Sequence, residues 1–364
     1  MDYKTKIYAC LIWLLMLGAV TTSCSKDDEG EGDGSTIPSE ERYTGDAYKD
    51  LHSPWVKDPS QKTHFTRWDC VLFGSYPTNE VVSGNFDAVD DYALAEGDVI
   101  VDATLFSQLK NAQWTNDDTE IDGTRYHRLK GDGAVTCSTN REQHYRWADT
   151  DAWHYFSYAP MKWRILKISG TKALLLSDRM PDTCPFHDKD ESVNWNSSHL
   201  RQWLNEEFYT HAFSNEERTA IETTNVKNPA NPHYGTDCGP DTQDHVFILS
   251  NDEVFASQLA SDYGFYAGSG IDDSARRFRS TLYAKCRGAW WSSVEGYRGN
   301  SFWFMRTSGY TSSNITYVCD FGYLYNQGTA TTCDDAAVLP AITIDLEKAS
   351  YQKTTSVEST DVNN

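Results

Sequence analysis

The chain lacks a hydrophobic run long enough to cross a bilayer. Its longest uncharged apolar stretch, from Ile7 to Val20, is 14 residues, whereas a spanning helix needs roughly 20. Basic residues are scarce: 32 Lys and Arg stand against 53 Asp and Glu, a formal net charge of −21. A surface of that sign repels phosphate backbones, so no nucleic-acid partner is expected. Also missing are a Gly-x-Ser-x-Gly elbow, a Gly-rich phosphate loop and a His-Glu-x-x-His pair, which removes the commonest hydrolase, nucleotide and metalloprotease signatures. A complete disulfide framework is excluded by count. Of nine cysteines, Cys10 and Cys24 lie at the front, and Cys70, Cys137, Cys184, Cys238, Cys286, Cys319 and Cys333 leave an odd number.

What is present begins with an export signal. Lys4 and Lys6 precede the apolar run, the charged-then-apolar order of a secretory signal peptide, and Thr21-Thr22-Ser23-Cys24 closes it with small residues before a cysteine. That tetrapeptide resembles a lipobox, which implies cleavage after residue 23 and lipidation of Cys24. The acidic tract Ser25 to Gly34 resembles the surface-export signal of Bacteroidetes-type lipoproteins. The expected location is therefore the outer membrane, with the protein held by its lipid and facing the extracellular side. Loss of residues 1–23, which carry Lys4 and Lys6 against Asp2, takes the charge to −22 over the 341 residues that remain, enough for a substantial core.

Residues 24–60 are polar, acidic and broken by Pro38, Pro54 and Pro59, the composition of a flexible tether. A single globular domain is expected over 61–350, with an insertion-like acidic segment at about 78–158 and a polar tail at 351–364. Strand signals occur at Cys70 to Pro77 and at Lys162 to Ile168 and Thr171 to Leu176, the latter two joined at Ser169-Gly170 as a hairpin. Leu200, Trp203, Leu204 and Phe208 form one stripe of an amphipathic helix capped by Ser197 or Ser198. Ser214 to Glu217 and Ser250 to Glu253 are capping boxes. A further helix is predicted from about Ser274 to Cys286, then strands at Ser301 to Met305, Ile315 to Cys319, Tyr323 to Tyr325 and Ala341 to Leu346. Strands, then helices, then strands predict an α+β fold.

Several of these segments together resemble a family of bacterial extracellular domains of unknown function: Val71 to Pro77, Pro160 to Leu166, Trp195 with Leu200 to Asn205, Val246 to Ser250, and above all Phe302 to Gly309 followed by Val338-Leu339-Pro340-Ala341. The last two are similar to a Trp-Leu-Arg-Ser and Val-Arg-Pro-Ala ending, with Leu339 standing where the family has arginine. That ending resembles the C-terminal half of C-type-lectin-like folds of the formylglycine-generating and retroelement-variable kind. The resemblance implies a C-type-lectin-like, loop-rich mixed sheet with short helices, in which Trp303 and Arg306 are structural.

Candidate chemistry is sparse. Cys184, His187, His233 and Cys238 have the residue types of a tetrahedral zinc site, but nothing in the spacing brings the two pairs together. Asp118 to Gly123 opens like a calcium loop but has Leu129 where the bidentate glutamate belongs, so an acidic turn is expected. Asp87, Asp90 and Asp91 are a second acidic stretch with no ligand pattern. Cys319 and Cys333 invite comparison with the thiol pair of formylglycine-generating enzymes; a disulfide or two packed thiols is the default. Asp273-Ser274-Ala275 resembles a Bacteroidetes-type O-glycosylation signal. No catalytic residue, cofactor or metal is assigned. Aromatic residues make up 13% of the chain, with 12 Trp and 21 Tyr, and they crowd the C-terminal third among asparagines. Trp290, Trp291, Tyr310 and Asn314 are the expected ligand-binding residues, since flat rings beside amides suit a sugar or peptide. The leading expectation is a non-catalytic surface module binding a glycan or a surface protein. An enzyme of the formylglycine-generating type and a structural subunit of a surface assembly are the alternatives.

Overall fold

Two strands much longer than the sequence predicts organise the molecule. The computed structural model describes residues 50–57, 65–84, 94–131, 149, 151–255, 257–268 and 272–359. Cys24 with the export signal, most of the tether, Cys137 and Asp87, Asp90 and Asp91 lie outside the described residues.

β1 (Trp55–Lys57) pairs with the start of β2 (Phe65–Val82), so the end of the expected tether is part of the folded body, and Leu51 is buried with it. β2 crosses the whole first sheet. Its far end pairs in parallel with β3 (Val99–Val101), which leads into α1 (Ala103–Asn111), whose cap Asp102 accepts from Thr104 and Leu105 N–H. The Asp118 to Gly123 stretch, expected as an acidic turn, is a hairpin instead. β4 (Asp118–Ile121) and β5 (Thr124–Lys130) are joined by Asp122-Gly123, both at positive φ, the conformation a two-residue hairpin turn of that dipeptide requires. Val81, Leu109, Tyr126 and Tyr155 form a small core beneath it.

β6 (Trp153–Ser169) pairs with β2 and β5 and then, through the predicted turn at Gly170, with β7 (Lys172–Ser177). β8 (Arg179–Met180) and β9 (Asp182–Thr183) follow. Helical residues 199–212 run as α2 (His199–Trp203), a π-turn at Leu204–Phe208 and α3 (Tyr209–Ala212); Ser198 is the cap, and Leu200, Leu204 and Phe208 are buried as their spacing predicts. α4 (Asn215–Ala220) carries the complete Ser214–Glu217 capping box. β10 (Thr224–Val226) pairs with β11 (Thr242–Asp244), β12 (Val246–Phe247) leads to α5 (Asn251–Phe255), and Ser250 and Glu253 cap α5 reciprocally. α6 (Ser257–Asp262) completes this helical layer.

The helix predicted from Ser274 to Cys286 is not continuous. Asp273 caps a single 3-10 turn, Ser274–Arg276, β13 (Arg279–Ser280) pairs with β8, and Thr281 then caps a new helix, α7 (Leu282–Arg287), which ends at Gly288 with φ of 114°. Two capping residues within this one stretch split what the sequence pattern reads as one element.

The second sheet contains β14 (Trp303–Ser308), β15 (Asn314–Val318), β16 (Leu324–Ala330) and β17 (Ala337–Val338), in the order β16-β15-β14-β17-β9, with β14 and β17 parallel. The chain then returns to the first sheet as β18 (Ala341–Asp345), beside β7 and β12. Where composition reads a polar tail, β19 (Gln352–Glu358) pairs with β2; its Thr-Thr-Ser-Val run suits a strand, but the partner lies far away in sequence. The architecture is α+β, with mixed sheets and short helices, and no helix among the described residues is long and apolar enough to cross a membrane.

Much of the tryptophan is spent here. Trp68, Trp163, Trp195 and Trp303 are fully buried, and each indole N–H finds an acceptor: Tyr263 O, Phe73 O, Asp244 Oδ2 and Arg276 O, at 2.7–3.3 Å. Gly74 marks an irregularity where β2 bends past α3. Its φ is +68°, and a Cβ there would sit 2.6 Å from the Phe213 ring. Gly74→Ala is therefore expected to cost about 2–3 kcal/mol from backbone strain and overpacking together, read as a lower denaturant midpoint with unchanged slope.

Candidate functional site: an aromatic groove

Strand alternation sends some rings of the second sheet inward and others outward. On the outward side, Tyr317 of β15 lies directly across from Tyr325 of β16, and their rings stack at 4.7 Å and 3°. Phe302, just before β14, meets Tyr317 at 5.6 Å, and Trp290 meets Phe302 at 5.9 Å. From Tyr325 the chain of rings continues through Tyr323 and Phe321, at 5.3 and 6.1 Å. Gly328, at φ +83°, lies where the register of β15 and β16 shifts; a Cβ there would stand 2.7 Å from Ile315 O, so the close approach behind the stacked pair needs glycine.

Trp290, Phe302, Tyr317, Phe321 and Tyr325 wall an open groove of about 580 Å³, within the roughly 300–1,000 Å³ range of small-ligand sites. Thr329 and Thr332 supply hydroxyls, Asp320, Asp334 and Asp335 supply carboxylates, and no Lys, Arg or His lines it. Cys319 and Cys333 also face it, as separate thiols; of the two default readings, the disulfide is not the one found. Burial pushes the Cys319 thiol up to about 11, and Cys333 donates to Asp335 Oδ1 at 2.8 Å. A thiol held protonated at neutral pH is the reverse of what oxygen-activating or nucleophilic chemistry needs.

The four residues expected to bind ligand are not brought together. Trp290 is on the groove. Trp291, its neighbour, is 5% exposed in the core, with Lys285 Nζ 5.7 Å from its ring. Tyr310 is 61% exposed on the loop between β14 and β15, edge-on to Tyr234 at 5.2 Å. Asn314 begins β15, and its side-chain oxygen accepts from Thr311. Phe302, Tyr317 and Tyr325 are the groove residues that the sequence reading left out of its binding set. Their signal was present, since the spacing from Tyr317 to Tyr325 across the turn at Gly322 allows a cross-strand pair.

The other motifs resolve into packing. Trp303 and Arg306 are buried as expected, and Leu339, where the resemblance has arginine, is also buried. Among the described residues no three His, Cys, Asp or Glu side chains are placed to hold a metal ion; His187 pairs with Glu191 at 3.0 Å, and Cys238 accepts from Ser308 N–H. Asp118 gathers Arg125, His127 Nδ1 at 2.8 Å and Tyr158 OH at 3.1 Å, and hydrogen bonds from His127 and Arg125 hold its carboxyl below the usual range despite burial. Asp273 spends its carboxylate on the N–H groups of Ala275 and Tyr266, and Ser274 beside it is half-buried. A second concavity of about 470 Å³ is lined by Lys167 and Asp252 and by charges that are already paired, Lys172 with Glu222, Lys227 with Asp241 and Arg306 with Glu253.

The molecule is thus an α+β body presenting an aromatic, acid-lined groove. Residues 170–346 match the family described as a domain of unknown function (DUF6273), a span that runs from the β6–β7 turn to the end of β18 and holds the whole groove. No curated protein and no solved structure matches the chain.

Proposed function

We propose that the chain is a non-catalytic binding module, carried on the outer face of the outer membrane by a lipid at Cys24, that holds a glycan along the aromatic groove. The carrying observation is the continuous row of rings from Trp290 through Phe302 and Tyr317 to Tyr325, open to solvent and flanked by hydroxyls and carboxylates. Sugar rings bring C–H faces that pack on aromatic planes and hydroxyls that need short polar side chains, and the groove supplies both. The raised Cys319 thiol favours binding over the formylglycine-generating chemistry. A C-type-lectin-like organisation of the C-terminal part belongs to the same reading, and a small mixed sheet carrying loops supports it.

The test is calorimetric titration of the purified full-length protein with a panel of oligosaccharides, followed by Tyr317→Ala and Tyr325→Ala on the best ligand. Each truncation is expected to weaken binding about tenfold or more, the range of an aromatic anchor at an interface, with little change in stability for half-exposed Tyr325. Saturable binding to no oligosaccharide, or binding indifferent to both substitutions, removes the reading.

A further inference from the structure

The second concavity, of about 470 Å³, is built on the first sheet. Lys167 of β6 lies across from Leu174 of β7, and Leu174 across from Thr343 of β18. Partners directly opposite on neighbouring strands share a face, and all three line the cleft. Val226 at the end of β10 and Asp252, Leu259 and Tyr263 from the α5–α6 layer complete it. The surface is mostly apolar, as small-ligand sites are. Its two rings, Phe247 and Tyr263, are both more than nine-tenths buried, so little ring face is open to stack a sugar, and the ligand class differs from that of the groove. Three of its polar groups are uncommitted. Among the described residues the side chains of Lys167 and Asp252 make no hydrogen bond and no ion pair, and the Tyr263 hydroxyl has no partner although the residue is only 8% exposed. Burial, then the Glu253 carboxylate, push the Tyr263 phenol up, so it stays a donor. The same two influences raise the Asp252 carboxyl above its usual range, against the pull of Arg306, so an ammonium group brought beside it meets an acceptor that the fold has not neutralised. Crossing from Lys167 to Thr343 covers two strand spacings, about 9–10 Å, the span of an extended tripeptide.

We propose that this cleft binds a short apolar peptide, about three residues long, with both ends free: its side chains pack on Leu174, Val226 and Leu259, its carboxylate meets Lys167, its N-terminal ammonium meets Asp252, and the Tyr263 hydroxyl donates to one of its carbonyls. Lys167 is exposed and Asp252 half-buried, so what selects the ligand is the pair of opposite charges on one apolar cleft. A fatty acid would find Lys167 but leave Asp252 without a counterpart, and a cationic amphiphile the reverse. The site is separate from the aromatic groove, and neither reading depends on the other.

The experiment titrates the full-length protein calorimetrically at neutral pH with trileucine, N-acetyl-trileucine, trileucine amide, octanoate and octylamine. Trileucine is expected to bind about tenfold or more tighter than either blocked form, since each block removes one charge-assisted hydrogen bond. Lys167→Met is expected to erase the preference over the amide alone, and Asp252→Asn the preference over the acetylated form alone. Tyr263→Phe is expected to weaken trileucine several-fold with the thermal midpoint unchanged, because the lost hydroxyl bonds nothing in the fold. Equal binding of free and blocked peptides, or a preference that survives both charge substitutions, overturns the inference. So does octanoate or octylamine binding above trileucine, or no saturable binding of trileucine at all. Trileucine binding that is weakened by Tyr317→Ala and indifferent to Lys167→Met and Asp252→Asn would put the peptide in the aromatic groove, which also overturns it. The glycan reading is decided separately, by the oligosaccharide titrations and the groove substitutions.

Discussion

Arg306→Ala is expected to destabilise the protein by about 3–5 kcal/mol, the cost of leaving the partners of a removed buried cation unpaired. Arg306 is 2% exposed on β14. Its Nη1 reaches Ile248 O at 2.6 Å and Glu253 Oε2 at 2.5 Å, Nη2 reaches Lys227 O at 2.9 Å, and Nε reaches Asn228 Oδ1 at 3.2 Å. One planar fork thereby ties β14 to the loop after β10, to the strand segment before α5 and to the carboxylate that caps α5. Removing it strands Glu253 and two carbonyls at once. Arg306→Lys restores a charge but not the fork and is expected to recover less than half of the loss. Urea unfolding followed by tryptophan fluorescence reads both variants; a loss below about 1 kcal/mol for Arg306→Ala would mean that the network does not hold these elements together.

Arg306 also shows why some of the fold was legible and some was not. Features written in a few adjacent residues came through: the Gly170 hairpin, the Ser198 cap, the two capping boxes and the inward stripe of Leu200, Leu204 and Phe208. Each is fixed by the chain's own local geometry. The reach of β2 and β6, and the pairing of β19 with β2, depend on partners tens to hundreds of residues away, where propensity is weak and only the assembled sheet decides. The β4–β5 hairpin had a local signal in Asp122-Gly123. It was obscured because the same residues begin like a calcium loop, and alternating acids look alike in either setting.

The groove was legible as a composition and not as a place. That the C-terminal third is rich in rings follows from counting; which rings face out depends on strand register, and one residue of slip exchanges the two faces. Trp290 and Trp291 are the clearest case, since neighbours in an extended chain point opposite ways and here one lines the groove while the other fills the core. Asp320 carried no signal at all. An aspartate before an aromatic-Gly turn is ordinary in sequence, and its place on the groove wall exists only once the second sheet is assembled.

Lys285→Met is expected to raise stability near neutral pH and to flatten its dependence on pH. Lys285 lies on α7 with no exposed surface, between the Trp291 ring and the charges of Arg179, Arg279 and Asp98. Burial, reinforced by the two arginines and opposed by Asp98, lowers its pKa from 10.5 to about 7. The unfolded chain keeps its ordinary lysine and therefore binds a proton between those values that the native state does not, so native stability climbs as pH rises across the window. From about pH 7 to about pH 9 the climb amounts to about 2 kcal/mol. Methionine fills nearly the same volume without a charge to desolvate, so the variant keeps the packing of α7 against Trp291 and loses that slope. Above about pH 10 the comparison is confounded, because buried Tyr76 and Tyr283 are held protonated in the native state while unfolded tyrosines ionise. Denaturant unfolding at intervals between about pH 7 and about pH 9 decides the matter: wild-type and variant curves that stay parallel would show that Lys285 keeps its proton inside the fold.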